Sequence, residues 1–407
     1  MSFDVHKIRE DFPILQEKVY GNPLVYLDNG ATTQKPMPVI ACINDFHRHS
    51  NSSIHRGVHY LSEQATEAYE QARITVQEFI RAKHSHEIIF TSGTTASING
   101  VAFSFGERFV HAGDEIIITE MEHHANIVPW QMLCERKNAR LKVIPFNDEG
   151  ILQVDKLEEL IQDKTRLIAV MHASNTLATL NPVKQIISLA HRYNIPVLVD
   201  GAQSVPHMSV DVQDMDCDFF AFSGHKMYGP TGIGILYGKE KWLDDIPPFQ
   251  GGGDMVDVVT FEKTTYNQLP YKFEAGTSNY VGAVGLGKAV EYLVTAGIND
   301  VADHEHDLLQ YAVGRLDNLG YVTLYGRAPQ KTSLVTFTLR DIHPYDAGMI
   351  LDKMGIAVRT GTHCAQPVMR HYGIDGNIRA SFAMYNTREE IDALIEGIQK
   401  VKTMFGG

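Results

Sequence analysis

Phe219-Phe220-Ala221-Phe222-Ser223-Gly224-His225-Lys226-Met227-Tyr228-Gly229-Pro230-Thr231-Gly232 is the stretch that decides the fold. The apolar run at 219–222 has the length and aromatic content of a short buried strand. Gly224, Gly229 and Gly232 let the backbone turn tightly behind it and bring Lys226 into a crevice. A lysine after a strand is most often a solvated loop charge. This one follows a serine and a histidine, is ringed by glycines, and has an acid at the end of another apolar run upstream, Val197-Leu198-Val199-Asp200.

Similar β-rich runs occur near 88–91, 115–119, 141–146, 166–171, 196–200, 218–222 and 233–237, with helical patterns such as 123–137 and 182–194 between several of them. This alternation predicts an α/β unit: about seven strands in a mostly parallel sheet, flanked by helices. A chain of 407 residues has room for two or three domains at ~150 residues each. The break at Gly297, after a helical pattern from Val281 to Ala296, divides a large domain over 20–297 from a small α+β domain made of 298–407 and 1–19. Within the large unit, Gly251-Gly252-Gly253 opens a polar insertion expected to form a hairpin that reaches a neighbour. At the N-terminus, Val5, Ile8 and Phe12 share one face of a short helix stopped at Pro13.

Ligands of parallel sheets sit beyond the strand C-termini, so the residues after each run are the candidates. Ser92-Gly93-Thr94-Thr95 opens a helix, where free N–H groups and the dipole suit a phosphate. His123 follows the second run, Asn175 the fourth, Asp200-Gly201-Ala202-Gln203 the fifth, and Ser223, His225 and Lys226 the sixth. Each motif alone is usually a cap or turn. Together, at one sheet edge, they suit an amine that forms a Schiff base with pyridoxal 5'-phosphate, with Asp200 paired to the pyridinium nitrogen.

Composition narrows the alternatives. A net charge of -13 argues against nucleic acid or an anionic membrane as partner. The four cysteines are scattered with no C-x-x-C pair, which fits neither a disulfide framework nor a zinc site and predicts a reducing, cytoplasmic setting. No apolar run approaches the ~18 residues of a membrane span. Gly232-Ile233-Gly234-Ile235-Leu236-Tyr237-Gly238 misses dinucleotide spacing and leads into a strand, and no Walker A sequence is present. His55 and His59 lack a carboxylate or cysteine at ligand spacing, so they read as a loop at a pocket rim or subunit contact, with no metal expected.

A second chemical centre lies far along the chain, in Arg359-Thr360-Gly361-Thr362-His363-Cys364-Ala365-Gln366-Pro367. Lone cysteines are usually small buried hydrophobes, the reading adopted for Cys42, Cys134 and Cys217. Cys364 sits in a basic, glycine-rich loop and reads as a nucleophile. Arg359 and Arg379 end short strands beside that loop, where a guanidinium can clamp a substrate carboxylate.

These motifs, with Glu122-His123-His124-Ala125-Asn126 and His55-Arg56-Gly57-Val58-His59, run across the chain in the order of a known family. The sequence resembles the group II (SufS/CsdA-type) cysteine desulfurases, class V aminotransferase-like enzymes of fold-type I. The resemblance implies that Lys226 carries pyridoxal phosphate, Asp200 pairs with the ring nitrogen and His123 stacks on the ring. It further implies that Gln203 and Asn175 meet the ring hydroxyl. Thr94, Thr95, Ser223 and His225 would hold the phosphate, with Thr277 donated by the partner of a homodimer. Arg379, helped by Arg359 and Asn175, would bind the carboxylate of L-cysteine. Cys364 would take the sulfur as a persulfide and pass it to a SufE-like or SufU-like acceptor for iron–sulfur cluster assembly. Thr362, Ala178 and Ser278 depart from the family pattern, at positions where a second His, a Gly and a Pro are common. Selenocysteine lyase or cysteine-sulfinate desulfinase activity in the same pocket is the nearest rival. A non-catalytic scaffold is the remote one, since a scaffold needs none of Lys226, Asp200, His123 and Cys364.

Overall fold

A computed structural model describes residues 3–406. The apolar runs become the strands β1 (Ile88–Thr91), β2 (Glu115–Thr119), β3 (Arg140–Ile144), β4 (Thr165–Met171), β5 (Val197–Asp200), β6 (Phe219–Ser223) and β7 (Gly234–Gly238). They form one seven-stranded sheet in the order β1-β7-β6-β5-β4-β2-β3. β3, β2, β4, β5 and β6 pair in parallel, while β7 runs against both of its neighbours, β6 and β1. Parallel neighbours need a crossover of a dozen or more residues, and the turn from Gly224 to Ile233 is too short for one. The segment that holds Lys226 is therefore also the reversal that inverts β7. Gly234 is required there: a Cβ would sit 2.5 Å from Gly93 Cα and 2.6 Å from the Phe222 carbonyl oxygen.

Strand side chains alternate between the two faces, as the period of two demands. Val197, Val199, Phe220 and Phe222 join a core with Tyr69, Val76, Leu286 and Leu293, from the helices Tyr60–Phe79 and Tyr280–Ala296. Leu198, Phe219 and Ala221 join a second core with Ile98, Phe105, Trp130 and Leu133, from the helices Thr94–Phe109 and Val128–Lys137. Both faces are thus covered, which is why these strands read as unbroken apolar runs. The fold is α/β with a mostly parallel sheet, in accord with fold-type I.

Gly297, at φ +85°, turns the chain by 75° between Tyr280–Ala296 and Ile298–Asp317. Beyond it lies a four-stranded antiparallel sheet, ordered Val322–Tyr325, Leu334–Leu339, Asn377–Ser381, Arg359–Gly361. Its separate core includes Leu308, Phe337, Ile378 and Leu394. Val25 and Leu27 belong to that core, and Val25–Tyr26 pairs in parallel with Ile356–Ala357. Phe12 and Leu15 instead pack in the large core. This packing puts the segment near residue 25 with the C-terminal part, on the other side of the boundary drawn from sequence at residue 19.

The N-terminal helix ends at Glu10, and Pro13–Gln16 forms a 3-10 turn. The glycine-rich insertion does contain a hairpin, Val256–Val259 with Thr264–Tyr266, and exposes Val258, Val259 and Phe261. No single helix among the described residues is long and apolar enough to cross a membrane.

Candidate active site

At the C-terminal ends of β1, β5 and β6 lies a cavity of about 270 Å³, also lined by Arg359 and Arg379 of the four-stranded sheet and by the Cys364 loop. It gathers Thr94, Thr95, His123, Asn175, Asp200, Gln203, Ser223, His225, Lys226, Arg359, Cys364 and Arg379. Thr277 alone of the expected residues is outside it, exposed on the loop after Glu274.

Lys226 closes the 3-10 turn Gly224–Lys226 that ends β6. Burial lowers its amine from the ordinary range to about 8, with Asp200 opposing the shift and Arg379 adding to it. Asp200 ends β5, is only 4% exposed and accepts the Ala202 N–H at 2.9 Å. Burial pushes its carboxyl up, against that N–H and the Lys226 charge.

His123 caps the turn after β2: its Nδ1 accepts the Ala125 N–H at 3.0 Å, which assigns the ring proton to Nε2. Burial and then the Lys226 charge lower it to about 3, so the ring is neutral. The same two causes, with Lys35, bring His225 to about 4.

An anion cradle sits at the N-terminus of Thr94–Phe109. The Thr94 N–H donates to Ser223 Oγ at 2.8 Å, and the two hydroxyls are 2.7 Å apart. Gly93 opens the helix at φ +146°, and a Cβ there would stand 3.2 Å from Ser223 Oγ. Free helix N–H groups beside two hydroxyls suit a phosphate. Across the cavity Gln203 Nε2 donates to the Gly30 carbonyl at 2.7 Å. An amine of lowered basicity, a buried carboxylate, a neutral imidazole and this cradle together fit pyridoxal phosphate.

The Cys364 loop is tied to the sheet edge by its backbone. Asn175 Nδ2 donates to the His363 carbonyl at 2.7 Å, and the His124 N–H donates to the Cys364 carbonyl at 2.8 Å. His363 (φ +51°) and Cys364 (φ +56°) both occupy the left-handed region, at a cost of about 1–2 kcal/mol each. The Cys364 side chain stays exposed. Asn175 Oδ1 and Arg379 Nε are buried without a partner, leaving one acceptor and one charged donor available at the cavity.

Sequence reasoning passed over three residues. His363 lines the cavity, with Nε2 against Asn377 Oδ1 and Nδ1 unpartnered. Burial and then Arg379 lower it to about 3. Glu122, fully buried beside His123, accepts the Met171 N–H at 2.8 Å and Asn126 Nδ2 at 2.7 Å, and burial raises it to about 8. Both lie inside motifs quoted above, and adjacency to the chosen residue was the available signal. Asp28, the third, contacts both arginines. Ala178, at a position where glycine is common, is fully buried at φ +65°. His55 and His59 have structural partners: His55 Nε2 is 3.0 Å from Glu70, and His59 caps the helix that begins at Tyr60.

The family model "Aminotransferase class-V" matches residues 25–394. A cysteine desulfurase of Shigella sonnei is 52% identical over 408 residues, spanning all of both chains. A probable cysteine desulfurase of Halalkalibacterium halodurans is 50% identical, with 99% of each chain covered. The crystal structure of the cysteine desulfurase CsdA from Escherichia coli superposes with a TM-score of 0.93 at 38% identity, over 99% of this chain and all of that one. The sequence-derived family, the sheet topology and the contents of the cavity therefore agree. This chain belongs to the pyridoxal-phosphate-dependent cysteine desulfurases of the class-V aminotransferase family.

Proposed function

We propose that the enzyme converts L-cysteine to L-alanine and holds the sulfur as a persulfide on Cys364 before handing it to a protein acceptor for iron–sulfur cluster assembly. The observation that carries this reading is that Lys226 and Cys364, remote in sequence, line one cavity. Bound pyridoxal phosphate supplies an electron sink for the substrate Cα. Asp200 would meet its ring nitrogen, His123 its ring face, and Gln203 and Asn175 its hydroxyl. Thr94, Thr95, Ser223 and His225 would hold its phosphate.

Lys226 Nζ takes the Cα proton as general base. Arg379, assisted by Arg359 and Asn175, fixes the substrate carboxylate. The Cys364 thiolate then attacks the substrate sulfur. An S–S bond forms as the Cβ–S bond breaks, the electron pair stays with carbon, and one proton added at Cβ and one returned to Cα, the latter from Lys226, complete L-alanine.

A SufE-like or SufU-like protein is the acceptor this reading favours, and the exposure of Cys364 supports delivery to one. A homodimer is supported by the exposed Thr277 loop and by the apolar hairpin tip at Phe261. Thr277 would complete the partner's phosphate site. A cytoplasmic setting suits a thiol that must stay reduced between turnovers.

Mass spectrometry after brief exposure to L-cysteine tests the central step: one extra sulfur is expected on Cys364, and a sulfur found elsewhere or nowhere refutes it. Lys226→Ala should lose the visible cofactor band and roughly 10³-fold or more of activity. Cys364→Ser should lose turnover of L-cysteine while keeping that of L-selenocysteine, whose selenium can leave without a thiol. Sedimentation of the holoenzyme should show a dimer, and a fully active monomer would remove Thr277 from the site.

A further inference from the structure

The carbonyl of His225 belongs to the peptide bond that leads into Lys226, and donors from residues 32–35 converge on it. The Thr33 N–H donates to it at 3.1 Å, the Thr32 and Thr33 hydroxyls at 3.0 and 3.2 Å, and Lys35 Nζ at 2.9 Å. A carbonyl oxygen has only two lone pairs, so this one is held from more directions than it has acceptor sites. Thr33 Oγ also accepts the Tyr228 N–H at 2.8 Å, which leaves its own hydrogen for the carbonyl.

Lys35 is the charged member of the group. Its other contact is the Thr33 carbonyl, at 2.6 Å. Burial lowers its amine to about 8, and no carboxylate opposes the shift. A lysine taken out of water is normally offset by an acid. This ammonium is aimed at two backbone carbonyls instead, and a charged donor makes a hydrogen bond roughly twice as strong as a neutral one.

A trans peptide is planar, so holding the His225 oxygen holds the plane that contains the Lys226 nitrogen and Cα. The same stretch of chain also reaches the four-stranded sheet. The Gly30 N–H donates to Ser381 Oγ at 2.7 Å, and the Gln34 N–H donates to the Tyr385 hydroxyl at 3.0 Å. Ser381 ends the strand that carries Arg379, and Gly30, Lys226 and Arg379 all line the cavity. Residues 30–35 therefore span the distance between the amine and the guanidinium.

We propose that Lys35 is a positioning residue for the Cα proton transfer. It fixes the His225–Lys226 peptide relative to the strand of Arg379, so that the Lys226 amine meets the Cα of a substrate held by its carboxylate. Lys35 touches neither substrate nor cofactor and acts through the backbone alone. This rests on the reading of Lys226 as the base.

The test is exchange of the Cα hydrogen of L-alanine for deuterium by the holoenzyme in deuterium oxide, followed by NMR. It isolates the proton transfer from Cys364 and from any acceptor. Lys35→Met is expected to lower the maximal exchange rate per bound cofactor about tenfold, the effect of a displacement well short of the ångström that costs roughly a hundredfold. The L-alanine concentration at half-maximal exchange should not change, because the carboxylate site is intact. Lys35→Arg keeps a charged donor and is expected to recover most of the rate. An unchanged maximal rate in Lys35→Met, or Lys35→Arg as slow as Lys35→Met, makes Lys35 a structural brace and overturns the proposal. So does a loss that appears only as a raised half-saturating concentration. Should Lys35→Met fail to fold, Thr32→Val decides, since it removes another donor from the same carbonyl: a lower maximal rate at the same half-saturation supports the proposal, and an unchanged rate overturns it. Lys226→Ala separates the two ideas. Exchange that persists in it refutes the reading of Lys226 itself, whereas exchange lost in Lys226→Ala but kept in Lys35→Met refutes only the role of Lys35.

Discussion

Lys226 owes its low basicity to where its amine is held. An ordinary lysine titrates near ~10.4, but burial brings this one to about 8 despite the attraction of Asp200. Only the neutral amine attacks an aldehyde, and its fraction grows with pH until the group is fully deprotonated. Capture of pyridoxal phosphate by the apoenzyme should therefore accelerate with rising pH to about 8 and level off above it. Stopped-flow absorbance measures this; a rate still climbing past pH 9.5 would show an unperturbed lysine. Sequence identified Lys226 because glycines and a strand announce a crevice. It did not identify Asp28, because an acid after Tyr26-Leu27 gives no sign that two arginines from the far end of the chain converge on it.

Among the elements, the helix Tyr60–Phe79 is tied to the sheet edge by a buried ion pair. Arg73, 1% exposed, donates to Glu274 at 2.7 and 2.9 Å, and Glu274 also accepts the Phe90 N–H at 2.8 Å and the Tyr69 hydroxyl at 2.8 Å. Removing one partner of such a pair strands the other charge away from water. Glu274→Ala should cost about 3 kcal/mol, the low end of the range because Glu70 still contacts Arg73 at 2.8 Å. Chemical denaturation reads it, and a loss under about 1 kcal/mol would mean that Arg73 is rehydrated. Glu274 also begins the loop that carries Thr277, so under the proposal that Thr277 completes the phosphate site of a partner subunit the same variant should also loosen cofactor retention. This network was invisible in the sequence, where Arg73 and Glu274 are unremarkable charges far apart.

At the scale of the whole molecule, the cavity lies between two hydrophobic cores. Asn175 and Lys226 follow strands of the large sheet, while Arg359 and Arg379 belong to the four-stranded sheet. A ligand carboxylate that engages Arg379 joins the two. L-Alanine, the expected product, should therefore stabilise the holoenzyme by about 2.7 kcal/mol at 100 times its dissociation constant, read as a raised thermal midpoint. Arg379→Lys should remove most of that gain at the same ligand concentration; an equal gain in the variant would place the carboxylate elsewhere.

Read by itself, the chain determined its α/β class, its strand positions and most of the residues that the cavity brings together. Strand burial leaves a local signature in unbroken apolar runs, and strand C-termini mark where ligands go in a parallel sheet. Tertiary structure alone decided which distant groups meet: Asp28 with Arg359 and Arg379, Arg73 with Glu274, and the Cys364 loop with Asn175. Those meetings depend on strand register and on how two cores abut, and neither quantity is written in any window of sequence short enough to read for periodicity.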